Sequence, residues 1–162
     1  MNPKIVQKIV DEMDYDFSQF SMAGFVAWVA QKHGKPIRLE SYPDLPVGIS
    51  GLWLSTPSEE VICHQDNLPP LREMVTLLHE LAHIYLQHST CDITNLPAIL
   101  IDLIRDADQA LAYRKVYTED SDDEAEAEAM ALLLLKQVLS QPEPESHPDT
   151  PGAAYMKMLK VI

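Results

Sequence analysis

The chain has 162 residues, of which 46% are hydrophobic, and this is enough for one compact domain. Its formal net charge of -13 argues against broad binding to nucleic-acid phosphates, and it contains no run of about 18 apolar residues that could cross a membrane. Two cysteines, Cys63 and Cys91, exclude a disulfide scaffold, and the N-terminus has no apolar signal segment, so we expect a cytoplasmic protein.

The first part of the chain predicts two helices and then three strands. Asn2 and Pro3 are typical of a helix start, and this helix is predicted to end near Glu12. A second helix is predicted from Phe17 to His33, before Gly34. Three short extended segments separated by prolines follow: Ile37–Tyr42, Gly48–Ser55 and Glu60–His64.

A longer helix is predicted from Leu71 to His88, with Asn67 as its N-cap. Its apolar residues recur three or four positions apart, as on a buried helix face: Leu71, Val75, Leu78, Leu81, Ala82 and Tyr85. The motif His79-Glu80-Leu81-Ala82-His83 lies in the middle of this helix. Because residues i and i+4 share one helix face, both imidazoles could bind one metal ion.

The chemistry of this motif points to metal-assisted hydrolysis. Imidazole nitrogens suit zinc, and a catalytic zinc keeps one position for a water molecule whose pKa it lowers to about 7. Glu80 directly follows the first histidine and could accept the proton of that water. The motif therefore predicts His79 and His83 as metal ligands and Glu80 as the general base.

A third ligand has to come from elsewhere, since two histidines rarely hold a catalytic zinc. After a helix predicted from Leu96 to Tyr117, Ser121 and Glu124 form a capping box that begins a helix ending near Leu139. One turn back from Met130 on the inner face of this helix lies Glu126. Because a lone carboxylate on an apolar face is costly unless it is paired or bound to metal, Glu126 is the predicted third ligand.

Other polar side chains are candidates for supporting roles. Candidates for stabilising the developing oxyanion, or for contacting the ligands, are Tyr85, His88, His64 and Tyr113. Either cysteine, Cys91 or Cys63, could instead cap the open zinc position and hold the enzyme inactive; the alternative is an ordinary reduced thiol.

The two motifs together resemble the ImmA/IrrE family of zinc metallopeptidases. Its members carry H-E-x-x-H and, some tens of residues later, a helix resembling E-x-E-A-N-x-F-A-x-x-L-L. Here these are His79–His83 and Glu124–Leu135, in which Glu126 matches the family's third zinc ligand. Glu128 replaces the usual asparagine and Met130 the usual phenylalanine. The resemblance covers roughly residues 20–139.

The resemblance implies an α+β fold: a mostly helical, zincin-like domain with a small three-stranded, mainly antiparallel sheet beside the active-site helix. This domain is predicted to span residues 1–139, followed by a proline-rich acidic linker over 140–152 and a helical tail over 153–162. Glu60–His64 is the candidate edge strand that an extended substrate could join.

The resemblance also implies a function. The expected activity is zinc-dependent cleavage of a separate helix-turn-helix repressor or antitoxin, which would switch on stress, prophage or defence genes. Manganese is an alternative metal. A negatively charged protease suits a basic DNA-binding partner, whereas direct nucleic-acid binding is disfavoured by the charge. The alternative function is a non-proteolytic antirepressor or toxin-antitoxin module with a structural metal.

Overall fold

A computed structural model describes residues 2–92, 112–115 and 121–142. The described helices are α1 (Pro3–Asp11), α2 (Met22–His33), α3 (Pro70–Tyr85) and α4 (Ser121–Leu139). The strands are β1 (Ile37–Tyr42), β2 (Gly51–Ser55), β3 (Glu60–Gln65), β4 (Cys91–Asp92) and β5 (Ala112–Lys115). The predicted α+β class with a small sheet is confirmed.

Local capping explains where the first two helices begin. The side chain of Asn2 accepts a hydrogen bond from the backbone of Lys4, as predicted for α1. The single helix predicted from Phe17 to His33 is wrong at its start, where the chain forms a 3-10 turn over Phe17–Gln19. Ser21 caps α2 by accepting a hydrogen bond from Gly24, so the α-helix begins only after it.

The sheet contains the three predicted strands and two more among the described residues, in the order β1-β3-β2-β5-β4. β1 pairs with β3 in parallel, and the other three pairings are antiparallel, so the mainly antiparallel sheet is confirmed. The number of strands was underestimated, since β5 occupies part of the helix predicted from Leu96 to Tyr117. Residues 96–111 and 116–117 of that prediction lie outside the described residues.

β3 lies inside the sheet, between β1 and β2. The prediction that this segment offers a free edge is therefore wrong. Its residues from Glu60 to His64 are all buried, as expected for a short apolar strand with neighbours on both sides.

α3 is shorter than predicted at its C-terminus and lacks the predicted N-cap. Asn67 adopts a left-handed conformation with φ of 55° and lies in the turn before the helix, and Pro69 occupies the N-cap position without a side-chain hydrogen bond. The helix ends at Tyr85, not His88, because Gln87 turns the chain with φ of 56°.

α3 packs against the sheet on one side and against α4 and α2 on others. The core joins apolar residues of all four helices to the face of the sheet that carries Trp53 and Ile62. Its largest fully buried members include Phe25, Met74, Leu78, Leu81, Met130 and Leu134. In α4, Ala127 and Ala131 are buried small residues, which permit close approach to α3.

A buried carboxylate ties α2 to the strands. Glu60 is 3% exposed and accepts hydrogen bonds from Trp53 at 2.7 Å and from Lys35 at 3.1 Å, while its Oε1 lies 3.0 Å from His33 Nε2. Burial raises the pKa of Glu60, but these hydrogen bonds outweigh it, and the pKa lies below its ordinary value. Glu60 is therefore a satisfied structural carboxylate.

Two further predictions concern the ends of the chain and membranes. The proposed linker from residue 143 onward and the helical tail over 153–162 lie outside the described residues. Among the helices that are described, none combines the length and the apolar character needed to traverse a bilayer.

Candidate metal and catalytic site

The motif lies in the second half of α3, where its two histidines project toward the same place. The Nε2 atoms of His79 and His83 are 3.0 Å apart, and their ring centroids are 4.7 Å apart. The side chain of His83 is 1% exposed and that of His79 is 14% exposed. The helical spacing thus brings two imidazole nitrogens to one point at the edge of the core, as predicted.

The carboxylate that meets this pair belongs to Glu124, in the first turn of α4. Its Oε2 lies 3.1 Å from Nε2 of His79, and its Oε1 lies 3.3 Å from Nε2 of His83. One ligand atom from each of the three residues can be chosen such that all three lie within 4.8 Å of one another. Packing of α4 on α3 brings these groups together although His79 and Glu124 are 45 positions apart.

The donor atoms fit zinc in type and in spacing. Two imidazole nitrogens and a carboxylate oxygen are a known catalytic zinc set, and donors 2.0–2.1 Å from a tetrahedral ion lie about 3.3 Å from one another. The two nitrogens are 3.0 Å apart, and the two carboxylate oxygens of Glu124 lie 3.1 Å from His79 Nε2 and 3.3 Å from His83 Nε2, all close to that value. The neighbouring acids of the first turn of α4, Asp122 and Asp123, add negative charge that favours a cation.

Glu126, the predicted third ligand, instead contacts His88: its Oε2 is 3.0 Å from His88 Nε2. Burial raises the pKa of Glu126, but hydrogen bonding, including that from His88, outweighs it and keeps the pKa below its ordinary value. The structure thus brings Glu124 to the paired histidines and Glu126 to a neighbouring group. The missed signal was Ala127, since one turn before that buried small residue lies Glu124.

His88 lies behind the paired histidines, His79 and His83. Gln87 turns the chain back, so that the backbone N–H of His88 donates to the carbonyl of His83 at 3.0 Å. The Nδ1 atoms of His83 and His88 are 2.8 Å apart. His88 is also 3.8 Å from Asp123, and with Glu126 these residues form a second group of three potential ligands. His88 therefore lies beside His83, and its predicted supporting role stays a prediction.

The carboxylate of Glu80 is enclosed between α3 and β2. Glu80 is 1% exposed. A Cβ atom at Gly51 would lie 2.8 Å from Glu80 Oε1, closer than real Cβ atoms come, and 3.0 Å from Thr76 Cγ2, which is a tight contact. Gly51 has an ordinary φ, so the requirement for glycine here is space beside the carboxylate and not backbone freedom.

This contact gives a testable prediction for Gly51→Ala. The added methyl group should displace the Glu80 carboxylate, and a displacement of about 1 Å can lower a catalysed rate by roughly 10²-fold. Zinc affinity should change little, because Glu80 is not in the group of His79, His83 and Glu124 that could hold the ion. Hydrolysis rate and zinc affinity of the purified variant measure the two effects separately.

Gly24→Ala is the matched control, since a Cβ there would lie 2.9 Å from Ser21 Oγ, far along the chain from the motif. It should cost stability without a specific loss of hydrolysis. In a Glu80→Gln background, Gly51→Ala should have little further effect on the rate. Equal rate losses for Gly51→Ala in both backgrounds would contradict the proposed contact.

Two of the predicted supporting residues have clear positions. His64 is opposite Gly51 in the pairing of β2 with β3, and its Nδ1 is 3.9 Å from Glu73 of α3. It therefore lies on the α3 side of the sheet near Glu80 and stays a candidate donor. Tyr85 stacks on Trp28 with ring centroids 5.6 Å apart, within the aromatic cluster of α2, which accounts for its position without a role at the metal.

Of the remaining predicted residues, Cys63 is fully described, whereas only the backbone is described for Cys91 and Tyr113. Cys63 is buried beside Ile62, and because side chains alternate along a strand it faces away from α3. That orientation separates it from the paired histidines. Cys91 and Tyr113 are Cα partners in the β4–β5 pairing, but their side chains lie outside the described part, so their proposed roles stay predictions.

Comparison of the chain with protein-family models, with curated proteins and with solved structures finds no match.

Proposed function

We propose that this protein is a zinc-dependent endopeptidase of the ImmA/IrrE type, with His79, His83 and Glu124 as the metal ligands. The observation that carries the proposal is the meeting of zinc-type donors from two helices distant in the chain. The two histidine nitrogens are 3.0 Å apart, and the two carboxylate oxygens of Glu124 lie 3.1 Å from His79 Nε2 and 3.3 Å from His83 Nε2. The glutamate that follows His79 supplies the group that hydrolysis needs in addition to a metal. Manganese is an alternative ion for the same donors.

When bound, zinc supplies an activated water molecule and polarises the scissile carbonyl. Glu80 accepts a proton from the water as its oxygen adds to the carbonyl carbon, and returns that proton to the amine nitrogen as the carbon–nitrogen bond breaks. His64 is the described candidate for donating a hydrogen bond to the developing oxyanion, given its place opposite Gly51. His79, His83 and Glu124 would hold the ion.

The proposed substrate is a basic helix-turn-helix repressor or antitoxin, as the resemblance implies. The net charge of -13 supports a basic partner, because opposite charges accelerate encounter between two proteins. Part of this charge lies in the acidic first turn of α4, beside the proposed metal site.

Incubation with a small repressor encoded beside this protein's gene tests the proposed function. The purified protein with zinc should cleave the repressor at one or a few sites, and a chelator should abolish cleavage until zinc is restored. Higher salt should slow cleavage because it screens the attraction between the partners. Cleavage that persists in the chelator would contradict a metal-dependent mechanism.

A second candidate is the non-proteolytic antirepressor or toxin-antitoxin module, in which the metal only stabilises the fold. The burial of Glu80 favours it, since a carboxylate 1% exposed is shielded from solvent. This module would bind the repressor without cutting it, and binding would survive Glu80→Gln. The mutant therefore separates the two candidates.

A further inference from the structure

Three side chains, those of His83, His88 and Glu126, form a series of hydrogen bonds that extends from the two motif histidines into the interior. His83 Nδ1 is 2.8 Å from His88 Nδ1, and His88 Nε2 is 3.0 Å from Glu126 Oε2. The side chains of His83, His88 and Glu126 are 1%, 5% and 10% exposed. Water therefore has little access to these groups, and their polar atoms depend on hydrogen bonds to other groups of the protein.

The proton positions in this chain follow from the metal ligand at its end. A metal bound to His83 Nε2 requires that atom to be unprotonated, so the proton of the neutral ring is on Nδ1. His83 Nδ1–H then donates a hydrogen bond to His88 Nδ1, which must be unprotonated to accept it. The proton of His88 is consequently on Nε2, where it donates to the Glu126 carboxylate. Both hydrogen bonds therefore point the same way, from His83 to His88 and from His88 to Glu126.

The same reasoning excludes a second ion beside the first. His88, Asp123 and Glu126 form a group that could hold a cation by geometry alone. Coordination there through His88 Nε2 would require the proton of that ring to be on Nδ1, opposite the proton on His83 Nδ1, at a separation of 2.8 Å. Two donors cannot face each other at that distance, so one ion per chain is expected.

We propose that His88 and Glu126 are positioning residues that hold His83 in its metal-binding tautomer and orientation. This inference rests on the proposed metal site, and not on the identity of the substrate. A carboxylate behind a ligating histidine is a general device in zinc proteins. Here a second histidine is inserted between the two, and the turn at Gln87 places it. Glu126 therefore acts through His88 and His83 without contacting the ion.

The test is a zinc titration of the full chain against a competing chelator, with three variants. Glu126→Leu breaks the hydrogen-bond chain and should weaken zinc affinity by roughly 10–100-fold. Glu126→Gln retains an acceptor oxygen and should recover most of the affinity. Asp123→Asn should still bind one zinc ion, with a loss of affinity well below that of Glu126→Leu, because it removes a nearby negative charge but no member of this series of hydrogen bonds.

Nitrogen NMR of the imidazoles provides a readout that a purely structural role would not alter. In the zinc-loaded protein, the protons should be found on His83 Nδ1 and His88 Nε2, and Glu126→Leu should reduce the population of this His88 tautomer. A proton on His88 Nδ1, unchanged affinity in folded Glu126→Leu, or a second ion lost in Asp123→Asn would each overturn the proposal.

The failures of the two proposals are distinguishable. If the unmodified chain binds no zinc, both the metal site and the positioning role are wrong. If it binds zinc but cleaves nothing, the peptidase is wrong, while the affinities and proton positions still decide the role of His88 and Glu126. If Glu126→Leu fails to fold, the proton positions in the unmodified protein and the zinc affinity of Glu126→Gln decide whether His88 and Glu126 are positioning residues.

Discussion

Replacing Glu124 with glutamine is expected to remove tight zinc binding. The loss should exceed the roughly 10–100-fold cost of removing an outer partner of a ligand, because Glu124 supplies one of three donor atoms. Zinc at 1,000 times its dissociation constant stabilises a folded protein by about 4 kcal/mol, and this increment should disappear. Chelator competition and thermal melting with and without zinc measure both effects.

Glu128→Gln is the matched control for this variant. Glu128 is one turn further along α4 and is exposed, so its replacement removes the same charge without removing a donor. Its zinc affinity should equal that of the unmodified protein. If Glu124→Gln binds zinc normally and Glu126→Gln does not, the ligand is the residue expected from the resemblance, and the assignment to Glu124 is wrong.

Replacing Glu80 with glutamine is expected to reduce hydrolysis to a small residual rate while leaving zinc bound. A positioned general base contributes roughly 10²–10⁴-fold to a rate, and the amide cannot accept the proton. Glutamine has nearly the shape of glutamate, so it fits the space beside Gly51 and Thr76. Cleavage of the repressor and zinc content of the variant should be measured in parallel.

Glu128→Gln also controls here for the loss of one negative charge, since Glu128 is exposed and contacts none of the groups assigned to the reaction. It should cleave at nearly the unmodified rate. If Glu80→Gln also cleaves the repressor at this rate, Glu80 is not the base. If neither protein cleaves it but both bind it, the non-proteolytic module is supported.

Most elements that carry the site could be predicted because their signals are local. The i, i+4 spacing of His79 and His83 requires only that α3 be helical, and apolar periodicity predicts that helix. The first three strands were predicted from short apolar runs between prolines. β4 and β5 could not be found in this way, since each is short and is defined by its pairing partner.

The choice between Glu124 and Glu126 depended on tertiary packing. One turn back from Met130 is Glu126, and one turn back from Ala127 is Glu124; both Met130 and Ala127 are buried. The inner face of α4 is therefore wide enough to include both glutamates near its start. Which glutamate meets the histidines is set by where α4 crosses α3, and periodicity within one helix does not contain that information.

The separation of 45 positions between His79 and Glu124 has a thermodynamic consequence. An ion shared by these residues would be a cross-link that closes the intervening stretch of polypeptide into a loop. By the chain-entropy relation used for disulfides, constraining a loop of this size in the unfolded chain is worth about 4 kcal/mol. Zinc would then fasten α4 to the rest of the domain, and its removal would loosen the architecture as well as stop the chemistry.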